Sequence, residues 1–307
     1  MLHHNELQPQ MSWQLPTFNT VPTQQVLNDF YLREIAEPWD FKRAPRNDEY
    51  ITIHRLEHQW NQYEEGRADC ANLPSTAAEF LIWYQTLHQE HRREVAPFFE
   101  YLAERSSLAE LNFYIAMEEQ VDGRFDDVIA LAQLGMSGDM KMALAENFWD
   151  EMGLGQLNEM HTLLFKDSAQ RLQAFSALPE TVVEAPFEAL KNGNILLMYA
   201  LRRQYHPRLL GALTILEHTA PYRFSRTVKA MRRLGVPEQA IYYHHMHVKI
   251  DANHGKQLLN RVIVPLIEAS PAALEEICRG CLIRYNIAAD YYRSIAQRLN
   301  FPASLAQ

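Results

Sequence analysis

The sequence predicts an all-α protein folded as one helical bundle. Glycine is scarce, at 11 of 307 residues, which argues against the turn-rich chain of an all-β protein. After about residue 20 the pattern is helical almost throughout, and no convincing strand pattern interrupts it. Helix start signals recur along the chain. In Ser107-Leu-Ala-Glu110 the serine and glutamate side chains can each bond the other residue's backbone amide.

Start and stop signals place the individual helices. Residues 1 to about 20 lack periodicity and predict a loose arm. Thr76 and Ser107 are expected N-caps, and Ser270-Pro271 is expected to begin the last helix. Gly235-Val-Pro237 separates two helices. The predicted helices span residues 22–36, 47–64, 76–105, 107–121, 124–135, 138–153, 156–175, 183–204, 208–234, 237–268 and 271–298.

We expect an N-terminal arm and helical extension at residues 1–75, packed on a main helical domain at residues 76–300. The net charge is -9 and no basic stripe is visible, so a nucleic-acid partner is not expected. No apolar run reaches the roughly 18 residues that span a bilayer, and no signal peptide is recognisable. The sequence therefore predicts a cytoplasmic protein with no membrane partner.

The three cysteines are too few for a disulfide framework. Cys278-Arg-Gly-Cys281 has the spacing of a redox or zinc pair, but it lies inside a helical pattern without a second pair. We interpret it as two small apolar residues on one helix face.

The strongest functional signal is the set His247, Asp251 and His254. On a helix these positions fall within an arc of roughly 60°, so the three side chains can converge. Two imidazoles and a carboxylate suit iron, manganese or zinc. The alternative is a solvated polar face on a histidine-rich helix.

Glu151 and His161 are further candidate ligands. Ten residues on a regular helix would turn them about 80° apart, and Gly153 and Gly155 could permit the distortion that realigns them. Glu217 ends an apolar run, where an unpaired buried carboxylate would be costly.

Charge supports a combined site. Two divalent cations would neutralise four clustered carboxylates that otherwise repel one another. The four carboxylates are Glu119, Glu151, Glu217 and Asp251, and the neutral ligands would be His161, His247 and His254. For each glutamate separately, the alternative is a surface residue at a helix end.

The order and spacing of these residues resemble the haem-oxygenase-like di-iron oxidases and oxygenases. The family pattern is a Glu, a His about ten residues later, a lone Glu about thirty residues before the final cluster, and then H-x3-D-x2-H. The matching residues are Glu151, His161, Glu217, His247, Asp251 and His254. The resemblance covers about residues 75 to 298. It implies a haem-oxygenase-like helical bundle, two iron ions and O2 as co-substrate.

An additional carboxylate is implied by the N-oxygenating branch of that family. Glu119-Gln-Val-Asp-Gly-Arg-Phe125 is similar to the segment that carries it, and Glu118 is the alternative ligand. If neither glutamate binds metal, the N-oxygenase interpretation weakens and the di-iron interpretation stands.

The resemblance leaves the substrate open, because its members oxidise amines, amino acids, fatty acids or their own tyrosines. We expect a small amine or amino-acid-like substrate. Arg223 and Arg226 are candidates to bind a substrate carboxylate, the alternative being solvated charges on a helix. Tyr243 is a candidate to line the cavity, although packing is the favoured interpretation. An external electron donor and a homodimer are left open as partners. The alternatives are a fatty-acyl oxidase or decarboxylase, a zinc or manganese hydrolase, a non-catalytic scaffold, and a haem protein with its axial ligand among His54, His58, His88 and His91.

Overall fold

The computed structural model describes residues 18–177, 184–299 and 301, and these residues form helices and no strand. The all-α prediction is therefore confirmed. The helices are α1 Val21–Glu34, α2 Asn47–Arg67, α3 Ala77–Glu104, α4 Leu108–Asp122, α5 Phe125–Ala132, α6 Gly138–Glu151, α7 His161–Ser176, α8 Phe187–Leu201, α9 His206–Arg233, α10 Glu238–Gln257, α11 Val264–Ala269 and α12 Ala273–Arg298.

Most of the predicted helix ends are where the capping signals place them. The Thr76 side chain accepts a hydrogen bond from the Glu79 amide, and Ser107 forms the expected capping box with Glu110. Pro237 is the N-cap of α10. The last helix was placed slightly too early, because α12 begins only at Ala273, after a turn at residues 271–272.

The predicted single α-helix over residues 237–268 is wrong in one respect. A π-helical turn at Leu258–Ile263 joins α10 to α11. Pro265 is the second residue of α11. A proline there has no N–H to donate, and its ring crowds the carbonyl four residues earlier, so a locally wider helix relieves the crowding. The π turn begins only four residues after His254.

Helix α9 is central, and it packs against α10, α12 and α3. Its buried residues contribute to two hydrophobic clusters, one shared with α1, α8 and α12 and the other with α3, α4 and α10. Cys278 and Cys281 are free and fully buried in the first cluster, which fits their interpretation as packing residues.

Helices α1 and α2, within the predicted N-terminal extension, contact the rest of the bundle. The Asn194 side chain on α8 donates to the Gln24 carbonyl at 2.9 Å, and Asn28 donates to the Asn194 side chain at 2.8 Å. Arg202, which follows α8, pairs with Glu57 of α2 at 3.0 Å. The predicted loose arm lies largely outside the described residues. None of the described helices is long and apolar enough to cross a membrane.

Candidate metal centre

Six of the seven predicted ligand residues come together as two groups of three. The first ligand group is Glu151, His161 and His247, and the second ligand group is Glu217, Asp251 and His254. Within each group the candidate ligand atoms lie within 4.8 Å of one another. All six side chains are buried, with exposed fractions of 4% or less. A cluster of buried ionisable groups is costly unless charges are paired or a metal is bound.

Helix α10 supplies residues to both groups. His247 belongs to the first ligand group, and Asp251 and His254, one and two turns further on, belong to the second. Since one helical turn rises about 5.4 Å, two neighbouring metal sites along α10 are geometrically natural. The predicted convergence of these three side chains on one point is therefore refined to two adjacent points.

The chain between Glu151 and His161 is not a distorted helix but a reversal that contains two short 3-10 turns, Gly153–Gly155 and Leu157–Glu159. Glu151 is the last residue of α6, and His161 is the first residue of α7. Gly153, Leu154 and Gly155 all have positive φ, at 59°, 53° and 85°. These left-handed residues turn the chain back, so both ligands face the same point. The predicted helices 138–153 and 156–175 were therefore too long on both sides of this reversal.

The first ligand group has donor atoms at close spacing. His161 Nδ1 lies 2.8 Å from Glu151 Oε2 and 3.1 Å from His247 Nε2. His247 Nδ1 donates a hydrogen bond to the Tyr243 carbonyl at 2.7 Å, which leaves Nε2 with its lone pair toward the other two residues. A second hydrogen bond of this kind orients metal-binding imidazoles in general.

The second ligand group contains a buried atom without a partner. His254 Nε2 hydrogen-bonds Asp150 Oδ2 at 3.0 Å, whereas His254 Nδ1 lies 3.7 Å from Glu217 Oε1 and has no hydrogen-bond partner in the described part of the chain. The Asn147 amide donates to the same Glu217 oxygen at 3.1 Å. An orphaned imidazole nitrogen facing two carboxylates is the arrangement that a cation would complete.

Burial and charge shift the protonation of these groups. Burial and the adjacent His161 lower the pKa of His247 well below its ordinary value. Burial and the nearby Glu217 carboxylate raise the pKa of Asp251 well above its ordinary value. Burial alone would lower the pKa of His254, but Glu217 and the hydrogen bond to Asp150 raise it to about 11. The raised pKa values of Asp251 and His254 thus show that the second ligand group favours added positive charge.

The donor set fits iron. Glu151, His161 and His247 form a two-histidine, one-carboxylate set, which is typical of non-haem ferrous sites with open positions. The second ligand group has one histidine and two carboxylates. Three carboxylates against two divalent cations leave one net positive charge, which an oxygen-derived anion or a substrate group can balance.

Glu119 joins neither group among the described residues, so the structure does not bring this predicted ligand together with the other six. It lies on the exposed face of α4, whereas Glu118 faces inward. Glu118 is not a member of either group, because it is paired with Arg223 and accepts a hydrogen bond from Tyr291 at 2.7 Å. One residue along a helix rotates a side chain by 100°, which separates the two environments. The site therefore counts three clustered carboxylates instead of four.

We predict that Glu119→Gln leaves the metal content of the protein unchanged, because this side chain lies outside both ligand groups. The measurement is metal analysis after loading and desalting, with Glu151→Gln as the matched variant. Glu151→Gln should lower the bound metal, and an equal loss in both variants would restore Glu119 as a ligand.

The three candidate substrate-binding residues lie in different surroundings. Arg223 is buried and already paired with Glu118 and with Asp122 at 3.0 Å, so its guanidinium is not free for a substrate carboxylate. Arg226 pairs with Glu100 at 3.0 Å and lines a pocket. Tyr243 is buried, with its ring 4.2 Å from that of His247, which places it in the wall of the first ligand group.

Two residues near the site were missed by sequence reasoning. Asp150 hydrogen-bonds His254, and Asn147 hydrogen-bonds Glu217. Asn147 precedes Glu151 by four residues and therefore shares its helix face, which was a usable signal. No such signal was present for Asp150, because its role depends on the approach of α10 to the end of α6.

A family model described as "iron-containing redox enzyme" matches residues 112–289, a region that contains all six residues of the two groups. The chain therefore belongs to this family of iron-containing oxidoreductases, and the predicted haem-oxygenase-like bundle is confirmed. Among solved structures it is similar to a CADD-like protein of unknown function from Nostoc punctiforme. That likeness has 18% identity and a TM-score of 0.53, and it covers 71% of this chain and 99% of the other. No curated protein matches the chain.

We predict that a divalent metal stabilises this protein, because it compensates the buried carboxylates of both groups. At a hundredfold excess over the dissociation constant, a bound ligand adds about 2.7 kcal/mol to the free energy of unfolding. The measurement is thermal unfolding with Mn²⁺ and with a chelator. The midpoint should rise by on the order of 5 °C with Mn²⁺. Asp251→Asn should show a smaller rise, and no rise in either protein would contradict metal binding.

Proposed function

We propose that this protein is an O2-activating non-haem di-iron oxidase or oxygenase that acts on a small amine or amino-acid-like metabolite. The observation that carries the proposal is the pair of buried three-residue ligand groups joined through α10. Iron bound there would supply the activation of dioxygen. The chain's own contribution is to hold, orient and shield the metal.

Three side chains shield the first ligand group. The Tyr243 ring lies 4.2 Å and the Phe224 ring 4.9 Å from the ring of His247, and Phe165 packs on Tyr243 at 5.3 Å. All three rings are buried. This apolar wall excludes water on one side of the group, which protects a reactive oxidant from quenching.

The orienting hydrogen bonds fix which histidine atoms face the metals. The Tyr243 carbonyl accepts from Nδ1 of His247, and Asp150 pairs with Nε2 of His254. His247 therefore offers Nε2 and His254 offers Nδ1. Because the ring orientations are set before metal arrives, little reorganisation is needed on binding.

A small substrate is favoured over a long fatty acyl chain by the volume and lining of one pocket. A pocket of about 270 Å³ beside α9 has arginine and histidine side chains on its wall. Because neither Glu118 nor Glu119 joins the ligand groups, the proposal does not commit to N-oxygenation over oxidation of C–H or C–C bonds.

A monooxygenase reaction needs more electrons than its substrate supplies. Reduction of O2 to water takes four electrons, and a substrate that gains one oxygen atom supplies two of them. An external electron donor is therefore part of the proposal for a monooxygenase reaction.

We propose a cytoplasmic location for this reaction.

The test is O2 uptake by protein loaded with ferrous iron, with a panel of amines and amino acids compared with a panel of fatty acids. Acceleration by an amine or amino acid is the expected result. Acceleration by fatty acids alone would support the fatty-acyl alternative. Zinc-loaded protein is the control, and equal O2 uptake by that protein would contradict iron-dependent oxidation.

A further inference from the structure

A pocket beside the metal centre carries an independent signal for a ligand. It lies between α3, α9, α10 and α12, has a volume of about 270 Å³, and is lined by none of the six residues of the two ligand groups. Its walls combine aromatic and aliphatic side chains with arginine and histidine. Its volume lies just below the roughly 300–1,000 Å³ of pockets for drug-sized ligands, so its occupant would be smaller.

His91 is the residue that most needs an explanation. Only 1% of its surface is exposed, and neither ring nitrogen has a hydrogen-bond partner among the residues that the structure describes. It lines both this pocket and a smaller inner cavity of about 20 Å³. Burial lowers the pKa of His91 to about 4, so the ring is neutral and offers one donor and one acceptor. Buried polar groups without partners are rare, and a ligand in the pocket would satisfy this one.

The rim of the pocket supplies positive charge. Arg92 is exposed, stacks over the Tyr222 ring at 4.6 Å, and forms no ion pair with any residue that the structure describes. Arg226 lies over the same ring at 5.2 Å and is paired with Glu100. No carboxylate is among the residues that line the pocket. The guanidinium of Arg92 is therefore free to pair with an anion.

We propose that this pocket binds a small monocarboxylate with an apolar body. The carboxylate pairs with Arg92, whose planar fork of N–H groups matches carboxylate geometry. A polar atom of the ligand meets His91, and the apolar body packs on Phe99, Val248 and Tyr292. An amino-acid-like substrate would present this carboxylate and apolar body, so the role of the ligand as a substrate rests on the proposed function, whereas its binding requires no iron.

The test is calorimetric titration of the metal-free full-length protein with phenylacetate and with 4-methylpentanoate. Phenylacetamide is the neutral control. Saturable binding of at least one carboxylate is expected. Loss of the ligand charge, or Arg92→Gln, should weaken binding about tenfold, since hydrogen bonds between charged groups are the strong ones. Arg93→Gln is the matched control, because Arg93 is exposed on the same helix and does not line the pocket.

His91→Phe separates ligand binding from a structural role. It removes two unsatisfied nitrogens, so thermal stability should not fall, while carboxylate binding should weaken. No saturable binding of either carboxylate, or equal affinities in Arg92→Gln and Arg93→Gln, would overturn the proposal. Iron content should be unchanged in Arg92→Gln, so failure of this proposal and failure of the metal centre give different results.

Discussion

Replacement of His247 by alanine is expected to remove the first iron and to abolish iron-dependent O2 uptake. His247 is one of three donors in its group, and its Nε2 lies 3.1 Å from His161 Nδ1. Two remaining donors hold a divalent ion weakly, so the bound iron should fall from about two per chain to about one or fewer. The measurements are iron content after desalting and the rate of O2 uptake.

His245→Ala is the matched control for this variant. His245 lies on the same helix but is exposed, and it belongs to neither ligand group. Its replacement should leave iron content and O2 uptake unchanged. Unchanged metal content and stability in His247→Ala would show that the assignment of the site is wrong and would favour the scaffold alternative.

Replacement of Gly153 by alanine is expected to destabilise the fold and to displace His161. Gly153 has a φ of 59°, and an added Cβ would lie 2.4 Å from the carbonyl carbon of Glu159. The reversal between α6 and α7 would have to open, and His161 begins α7 two residues beyond Glu159. We expect a loss of about 3 kcal/mol or more in the free energy of unfolding, together with loss of iron from the first ligand group.

Gly138→Ala is the control that measures the cost of a positive φ for alanine without the close contact to Glu159. Gly138 has a nearly identical φ of 57°, but nothing lies within 4 Å of an added Cβ. This control should cost only about 1–2 kcal/mol, the price of a left-handed alanine, and should retain both irons. Chemical denaturation and iron analysis of the two variants measure the difference. Equal losses of stability would mean that the Glu159 contact does not hold the reversal.

The sequence was most informative where ligand spacing follows regular helical geometry. The positions of His247, Asp251 and His254 on one face follow from periodicity alone, and Gly235-Val-Pro237 was sufficient to place the start of α10. The π turn after α10 was missed because an α-helical pattern does not distinguish a locally widened turn. Pro265 was the available signal for it.

Where the backbone leaves regular helix, prediction from sequence failed. The glycines between Glu151 and His161 indicated a distortion but not its direction, since a glycine permits several conformations and tertiary contacts select one.

Glu118 and Glu119 are adjacent in sequence, and which of them faces the interior depends on the rotation of α4 about its axis. The residues around Arg223 in the sequence do not indicate that its guanidinium forms ion pairs with Glu118 and Asp122.

Anaerobic loading of the full-length protein with ferrous iron, followed by iron analysis and absorption spectroscopy after mixing with O2, tests whether it is a di-iron, O2-activating protein. We expect about two irons per chain, one for each three-donor group, and a change in visible absorption that requires both iron and O2. Folded protein that takes up no iron, or that binds iron without any response to O2, would contradict the di-iron proposal.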